Sequence, residues 1–279
     1  MARRRGPSHG GETARGSVDP VYTRAALPAA TLYALPASHP CAAVALAMRL
    51  KGVEFRRVDM IPVVSKVQQF ARFRGLTVPA VEFDDGEKVL GSREIVRALE
   101  HRAPDPPMLP ADGRERRAVE EAERWGDEVL QPLARRLAWA ALLRSTGSMM
   151  GFAADADLPV PDPLVKVTAP LVARMSTYFN GASDAAVRSD LINLDFHLER
   201  ADRWIATGAA GASEQVPNAA DLQIGSGVRL LLTIEDLKPR LEGRPCAALA
   251  MRWFPHYPGR VPAGTLPADW LAARAPAPV

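Results

Sequence analysis

Four prolines within a short stretch, Pro104, Pro106, Pro107 and Pro110, divide this sequence into two regions with different hydrophobic rhythms. Proline cannot donate a backbone hydrogen bond and stiffens the chain, so such a run reads as a connection rather than as part of a helix or sheet. Before it, short β-type runs alternate with helical ones. After it, the apolar residues recur at three- and four-residue spacing, which is the period of one helix face. A chain built this way has a small α/β part followed by an all-helical part.

The first part can be followed in order. Thr31–Leu35 is a short β-type run stopped by Pro36. Ser38 is suited to cap a helix, and the Ala-rich run from Cys41 to Leu50 reads as that helix, buried and ended by Gly52. Val53–Arg56 alternates and reads as a strand, 61–74 as a weak helix, and Val78–Phe83 as a third strand. Asp84, Asp85 and Gly86 make a turn into a return strand at Lys88–Leu90. Ser92 then caps a helix with Ile95, Val96, Ala98 and Leu99 on one face. The order is β-α-β-α-β-β-α.

In the second part, Val119, Ala122, Val129, Leu130, Leu133, Leu137 and Ala141 fall on one helical stripe, which Pro132 should kink. A proline-rich loop is expected over 146–163, then helices near 164–180, 183–207 and 218–233. The last forty residues, with Trp253, Phe254, Tyr257 and Trp270, are expected to wrap the surface. The organisation predicted is a disordered tail over 1–29, an α/β domain over 30–103, a helical domain over 111–240 and a C-terminal extension over 241–279; the resemblance described below makes the first domain a thioredoxin-like thiol-binding one and the second a substrate domain.

Charge and cysteine content narrow the functions. Arg3, Arg4, Arg5, Arg15 and Arg24 against Glu12 and Asp19 carry the whole net charge of +3. The remainder is balanced, so no nucleic-acid footprint is expected. No apolar run is long enough for a membrane span, so no membrane partner is expected either. Two cysteines, Cys41 and Cys246, form neither a disulfide framework nor a zinc ligand set; no metal is implied, and a reducing cytoplasm is the natural compartment. The first residues lack the apolar core of a secretory signal.

Four local signatures, in order, resemble the cytosolic glutathione S-transferases over roughly residues 31–235. The first is Tyr33-Ala34-Leu35-Pro36-Ala37-Ser38-His39-Pro40-Cys41, running into Lys51-Gly52. In that family the loop after strand one delivers a catalytic Tyr, Ser or Cys to a helix start; Ser38 falls there, with Cys41 three residues on. The second is Val78-Pro79, similar to the family's cis-proline, whose preceding residue pairs through its backbone with glutathione. The third is Gly91-Ser92-Arg93-Glu94-Ile95, where Ser92 matches a serine that holds the γ-glutamyl carboxylate. Gly91 departs from the acidic or amide residue usual there. The fourth is Asn218-Ala219-Ala220-Asp221, similar to a capping box that serves folding.

The resemblance implies a thioredoxin-like α/β N-terminal domain plus an all-α C-terminal domain. It also implies a transferase that activates glutathione or another low-molecular-weight thiol for attack on a small-molecule electrophile, and a homodimer. Ser38 and Cys41 are the catalytic candidates. Val78, Pro79, Ser92, its neighbour Arg93, and Arg74 are the thiol-binding ones. Arg72 and Arg74 precede the Val78-Pro79 site and would meet a glycyl carboxylate. His39 would be an acid/base group, or an exposed loop residue. Trp125, Arg135, Arg136 and Trp139 would face the acceptor, or serve packing and surface pairs. Trp253, Phe254 and Tyr257 would close the pocket or anchor the tail. A non-catalytic binding protein on the same fold is the alternative, as is a thiol-dependent isomerase or oxidoreductase.

Overall fold

The computed structural model describes residues 29–272. The predicted tail over 1–29 therefore lies outside the described residues, except for its last position. The β-type runs become a four-stranded sheet of β1 (Ala30–Ala34), β2 (Phe55–Asp59), β3 (Ala80–Phe83) and β4 (Lys88–Leu90), ordered β2-β1-β3-β4. β1 runs parallel to β2 and antiparallel to β3, with Leu32 opposite Arg57 on one side and Val81 on the other. The parallel pair needs a crossover. α1 (His39–Leu50) supplies it, with α2 (Val64–Phe73) and α3 (Ser92–Arg102) completing the unit. Leu32, Val44, Met48, Val81, Phe83, Ile95 and Leu99 are fully or almost fully buried. They are the alternate strand positions and single helix faces that the sequence pattern marked. This is a thioredoxin-like sheet and helix domain followed by helices, as expected.

The helical part begins with α4 (Gly113–Trp125), where the Asp112 side chain accepts from the N–H groups of Arg114 and Glu115 at 2.8 and 2.9 Å. A π-helical turn at Gly126–Leu130 joins it to α5 (Gln131–Arg144). The break expected at Pro132 is this wide turn just before it. Gly126 is required there, because a Cβ would stand 2.9 Å from the Gln223 Cβ. The expected loop over 146–163 contains α6 (Met149–Phe152); then come α7 (Asp162–Phe179), α8 (Asp184–Ala206) and α9 (Ala219–Leu231).

α9 is the centre of the molecule and contacts α1, α4 and α5. Its start is the capping box seen in the sequence: Asp221 N–H donates to Asn218 Oδ1, and Asn218 N–H to Asp221 Oδ2, both at 3.0 Å. Contrary to the expectation for the last forty residues, the described ones, as far as 272, do not wrap the surface. After α10 (Lys238–Leu241), α11 (Pro245–Trp253) packs against α9 through Cys246, Leu249 and Ala250. Val261 then pairs with Ile234, and Trp270 of α12 (Ala268–Ala272) is buried between the guanidinium groups of Arg144 and Arg188. This segment carries enough apolar area to join the core, which outweighs its proline content.

Candidate active site

The site starts at the turn from β1 into α1. Ala37 has φ 48°, and Ser38 follows as the N-cap with extended backbone, its side chain making no capping bond. Ser38 is half-buried and lines a cavity between the first domain and the helices. Its hydroxyl is near enough to the Cys41 thiol to favour the thiolate. Cys41 itself is 4% exposed, and burial pushes its thiol up to about 11 despite that neighbour. A reactive thiolate requires the opposite shift. Burial thus works against a thiolate at Cys41, the second of the two catalytic candidates.

His39 is not an exposed loop residue. It is 2% exposed, lines the cavity, and its Nε2 has no hydrogen-bond partner. Burial, helped by the nearby Arg135 guanidinium, holds its pKa well below the usual histidine range, so the imidazole is neutral.

Val78-Pro79 is a cis peptide, as the sequence suggested. Val78 lines the cavity, and its backbone N–H and carbonyl have no partner among the described residues. Pro79 is buried behind it and its carbonyl accepts from Gly91 N–H at 3.0 Å.

Ser92 is placed differently from the expectation. It starts α3 but is 4% exposed, with its Oγ 3.2 Å from Gln223 Nε2 and 3.3 Å from Oε1; Gln131 Nε2 donates to the same Oε1. These three buried polar side chains tie α3 to α5 and α9, and Ser92 is absent from the cavity wall. Its hydroxyl acts as a bond between the two halves of the chain, because an unpaired amide at Gln223 would be costly at that depth. Next to it, Gly91 has φ 97°, and Glu94 Oε2 lies 2.6 Å from where a Cβ on residue 91 would stand. The space of the missing side chain is filled by a carboxylate from one turn on.

The candidate arginines also lie outside the cavity. Arg93 faces Glu123, Asp127 and Glu128 at 3.7, 3.9 and 3.4 Å. Arg74 is exposed at the end of α2 with φ 58°, and Arg72 pairs with Glu82 while its guanidinium lies 5.0 Å from the Tyr33 ring. On the long helix, Trp125 is core, and Arg136 makes a two-point ion pair with Asp190 at 2.6 and 2.7 Å. Arg135 and Trp139 do reach the cavity.

That cavity, about 450 Å³, lies between the first domain and the helices. Leu35, Ser38, His39 and Val78 form one side; Trp139, Leu142, Met149, Phe152 and residues of α7 form the other. Its size and mostly apolar lining fit a small organic ligand. The C-terminal segment, whose role the sequence left open, does not line it but braces two of its wall residues, Ala37 and Phe152. Tyr257 Oη donates to the Ala37 carbonyl, and the Phe152 ring packs on Gly259, leaving no room for a Cβ there. Among the described residues no group of three or more His, Cys, Asp or Glu side chains is placed to hold a metal ion.

A thioredoxin-like domain with a cis-proline loop, joined to a helical domain across a cavity, is the architecture of the glutathione S-transferases. Residues 32–107 match the family model for the glutathione S-transferase N-terminal domain. Among solved structures, FzlA from C. crescentus superposes with TM-score 0.56 at 18% identity, covering 88% of this chain and 98% of that one. A glutathione S-transferase from Rhodospirillum rubrum F11 gives 0.53 at 17%, covering 87% and 98%. One from Methylobacillus flagellatus, solved with glutathione bound, gives 0.50 at 19%, covering 81% and 93%. At these identities the likeness is one of fold. Curated protein sequences give no match.

Proposed function

We propose that this chain is a glutathione S-transferase-like enzyme that activates glutathione, or another low-molecular-weight thiol, at Ser38. The carrying observation is the cavity, which has Ser38 and the unpaired Val78 backbone on one wall and apolar helix faces on the other. The thiol's cysteinyl backbone pairs with Val78 as an added strand. The Ser38 hydroxyl turns from Cys41 to donate to the thiolate, and the positive start of α1 favours the same charge. The thiol proton leaves to solvent. The sulfur lone pair then forms a bond to an electrophilic carbon in the apolar part, and the leaving group departs with its electron pair. A thiolate held this way also serves isomerisation or reductive dehalogenation. The relative from Methylobacillus flagellatus, with glutathione bound, supports glutathione as the first thiol to try. A homodimer and a cytoplasmic location belong to the same reading; no helix among the described residues is long and apolar enough to cross a membrane.

Calorimetric titration with glutathione, paired with conjugation of a small aryl halide, tests the reading. Ser38→Ala should keep binding and lose roughly 100-fold in kcat, the order for one lost donor to a developing anion. A folded protein that binds no thiol would end the transferase reading. A second reading, a non-catalytic binding protein on this fold, is favoured by the Ser92 hydroxyl being engaged by Gln223 and by Glu94 standing beside Gly91.

A further inference from the structure

Exposed apolar side chains are concentrated on one part of the surface. Of the twelve large hydrophobic residues that stand exposed among the described ones, nine lie on α2, the turn after it and α7. Scattered singly, such residues need no explanation; gathered, they mark an interaction surface. Four of them, Val67, Phe70, Val167 and Tyr178, are 54–82% exposed and take no part in the cavity wall. α2 is turned inside out, because it buries Ser65 and Gln69 and leaves Val67 and Phe70 in solvent. α7 buries only the small residues Ala169, Ala173 and Ser176, while Leu164, Val167, Leu171 and Tyr178 recur along its outer face. A helix that packs only on its own chain shows the reverse pattern. The two outer faces meet where Lys66 Nζ lies 5.1 Å from the centre of the Phe179 ring, next in sequence to Val67 and Tyr178.

The charge on these two segments is of one sign. Neither 61–81 nor 163–183 contains an Asp or Glu; their charged residues are Lys66, Arg72, Arg74, Lys166 and Arg174. Arg72 is paired with Glu82. The other four have no ion pair among the described residues, and Arg74, Lys166 and Arg174 stand exposed. Cations elsewhere are treated otherwise: Arg136 is paired with Asp190, Arg144 with Asp184 and Arg240 with Asp195. The acids Asp155, Asp157 and Asp162 come before the apolar stretch of α7 and not within it. A second copy seated here about a two-fold axis would bring this cationic surface against itself. An anionic lipid surface answers both features at once. Its acyl chains take up the apolar side chains and its head groups pair with the cations, as for helices that lie in the plane of a membrane.

We propose that the outer faces of α2 and α7 dock this protein on an anionic membrane surface, with Val67, Phe70, Val167 and Tyr178 inserted and Arg74, Lys166 and Arg174 at the head groups. The absence of a spanning helix is no obstacle, because the contact is peripheral and reversible. It involves neither Ser38 nor Val78, so it stands or falls separately from the thiol chemistry.

The test sediments the full chain with vesicles of phosphatidylcholine alone and of phosphatidylcholine with one third phosphatidylglycerol. The anionic vesicles should bind at least about 10-fold more tightly, and added salt should narrow the difference. Val67→Ser combined with Val167→Ser should weaken that binding about 10-fold or more, through lost apolar burial. Its thermal midpoint should stay unchanged, since both side chains lie on the surface. Lys166→Gln and Arg174→Gln should each cost roughly 5-fold. No binding to the anionic vesicles by the unaltered protein, or equal binding to both kinds, would overturn the proposal, and neither comparison depends on a variant folding. Binding that survives the double serine substitution would also overturn it, and would assign the lipid contact to the arginines of residues 1–30. A chain that ignores vesicles and forms a dimer split by the same double substitution would give this face to a second copy instead.

Discussion

The Tyr257 hydroxyl donates its hydrogen to the Ala37 carbonyl, across 220 positions of sequence. Ala37 is the left-handed residue just before Ser38. On the other side of the tyrosine, Arg229 lies 5.4 Å from its ring centre and donates from Nε to the Phe254 carbonyl at 2.8 Å. The turn that presents Ser38 is therefore held from the far end of the chain. Tyr257→Phe removes one hydrogen bond, worth about 1 kcal/mol. Thermal unfolding should shift down by roughly 2–4 °C, and any Ser38-dependent turnover should fall with it. An unshifted midpoint would mean that the bond carries nothing.

Lys51 has no exposed surface, and its ammonium pairs with Glu100 and donates to the Pro104 carbonyl at 3.1 Å. Glu100 also accepts from Met108 N–H at 3.0 Å, so one ion pair fastens α1, α3 and the proline-rich connection together. Lys51→Met strands the carboxylate and should cost about 3–5 kcal/mol in urea unfolding. Adding Glu100→Gln should recover part of it. A loss under 1 kcal/mol for the single variant would refute this.

Both thiols are expected to be inert in the folded protein. Burial raises Cys41 to about 11 and raises Cys246 as well, with Asp202 beside the latter adding to the shift. A disulfide reagent at pH 8 should modify neither within minutes, and both once urea is added. Rapid modification of Cys41 in the native chain would contradict this.

Asp221 should make stability depend on pH in an unusual direction. Burial raises its carboxyl from 3.8 to about 6, although the N–H groups of Gly211 and Asn218 pull it down. A carboxyl with a raised folded value holds its proton better when folded. Its contribution is complete below about pH 3.8 and is lost as pH rises through about 6. Asp221→Asn should flatten the stability profile between pH 4 and 7 by up to about 3 kcal/mol. Parallel profiles for the two proteins would contradict the shift.

Much of the framework was legible in the sequence because it rests on local patterns. The alternation of Thr31–Leu35, the Val78-Pro79 pair and the Asn218–Asp221 box are each read within a few residues, and each has its expected local form, while Ser38 takes the N-cap position without its side chain capping. What was missed depends on distant partners. Ser92 matches an anion-binding motif, but Gln223 lies 131 positions away and nothing near Ser92 announces it. Arg135 and Arg136 are neighbours in sequence, yet one is paired and the other is not, because Asp190 stands on only one face of α5. The closing segment looked like a tail because prolines separate its short helices, while its apolar positions are matched to α9 rather than to each other.

The Tyr257 contact also sets an order of assembly. During synthesis the Ser38 turn leaves the ribosome long before Tyr257 does, and at roughly 5–20 residues per second the wait is about 10–40 s. For that interval the first domain exists with its turn unfastened. A nascent chain stalled before residue 250 should thus contain a folded sheet but no finished site, so the site becomes competent only after Tyr257 has been made.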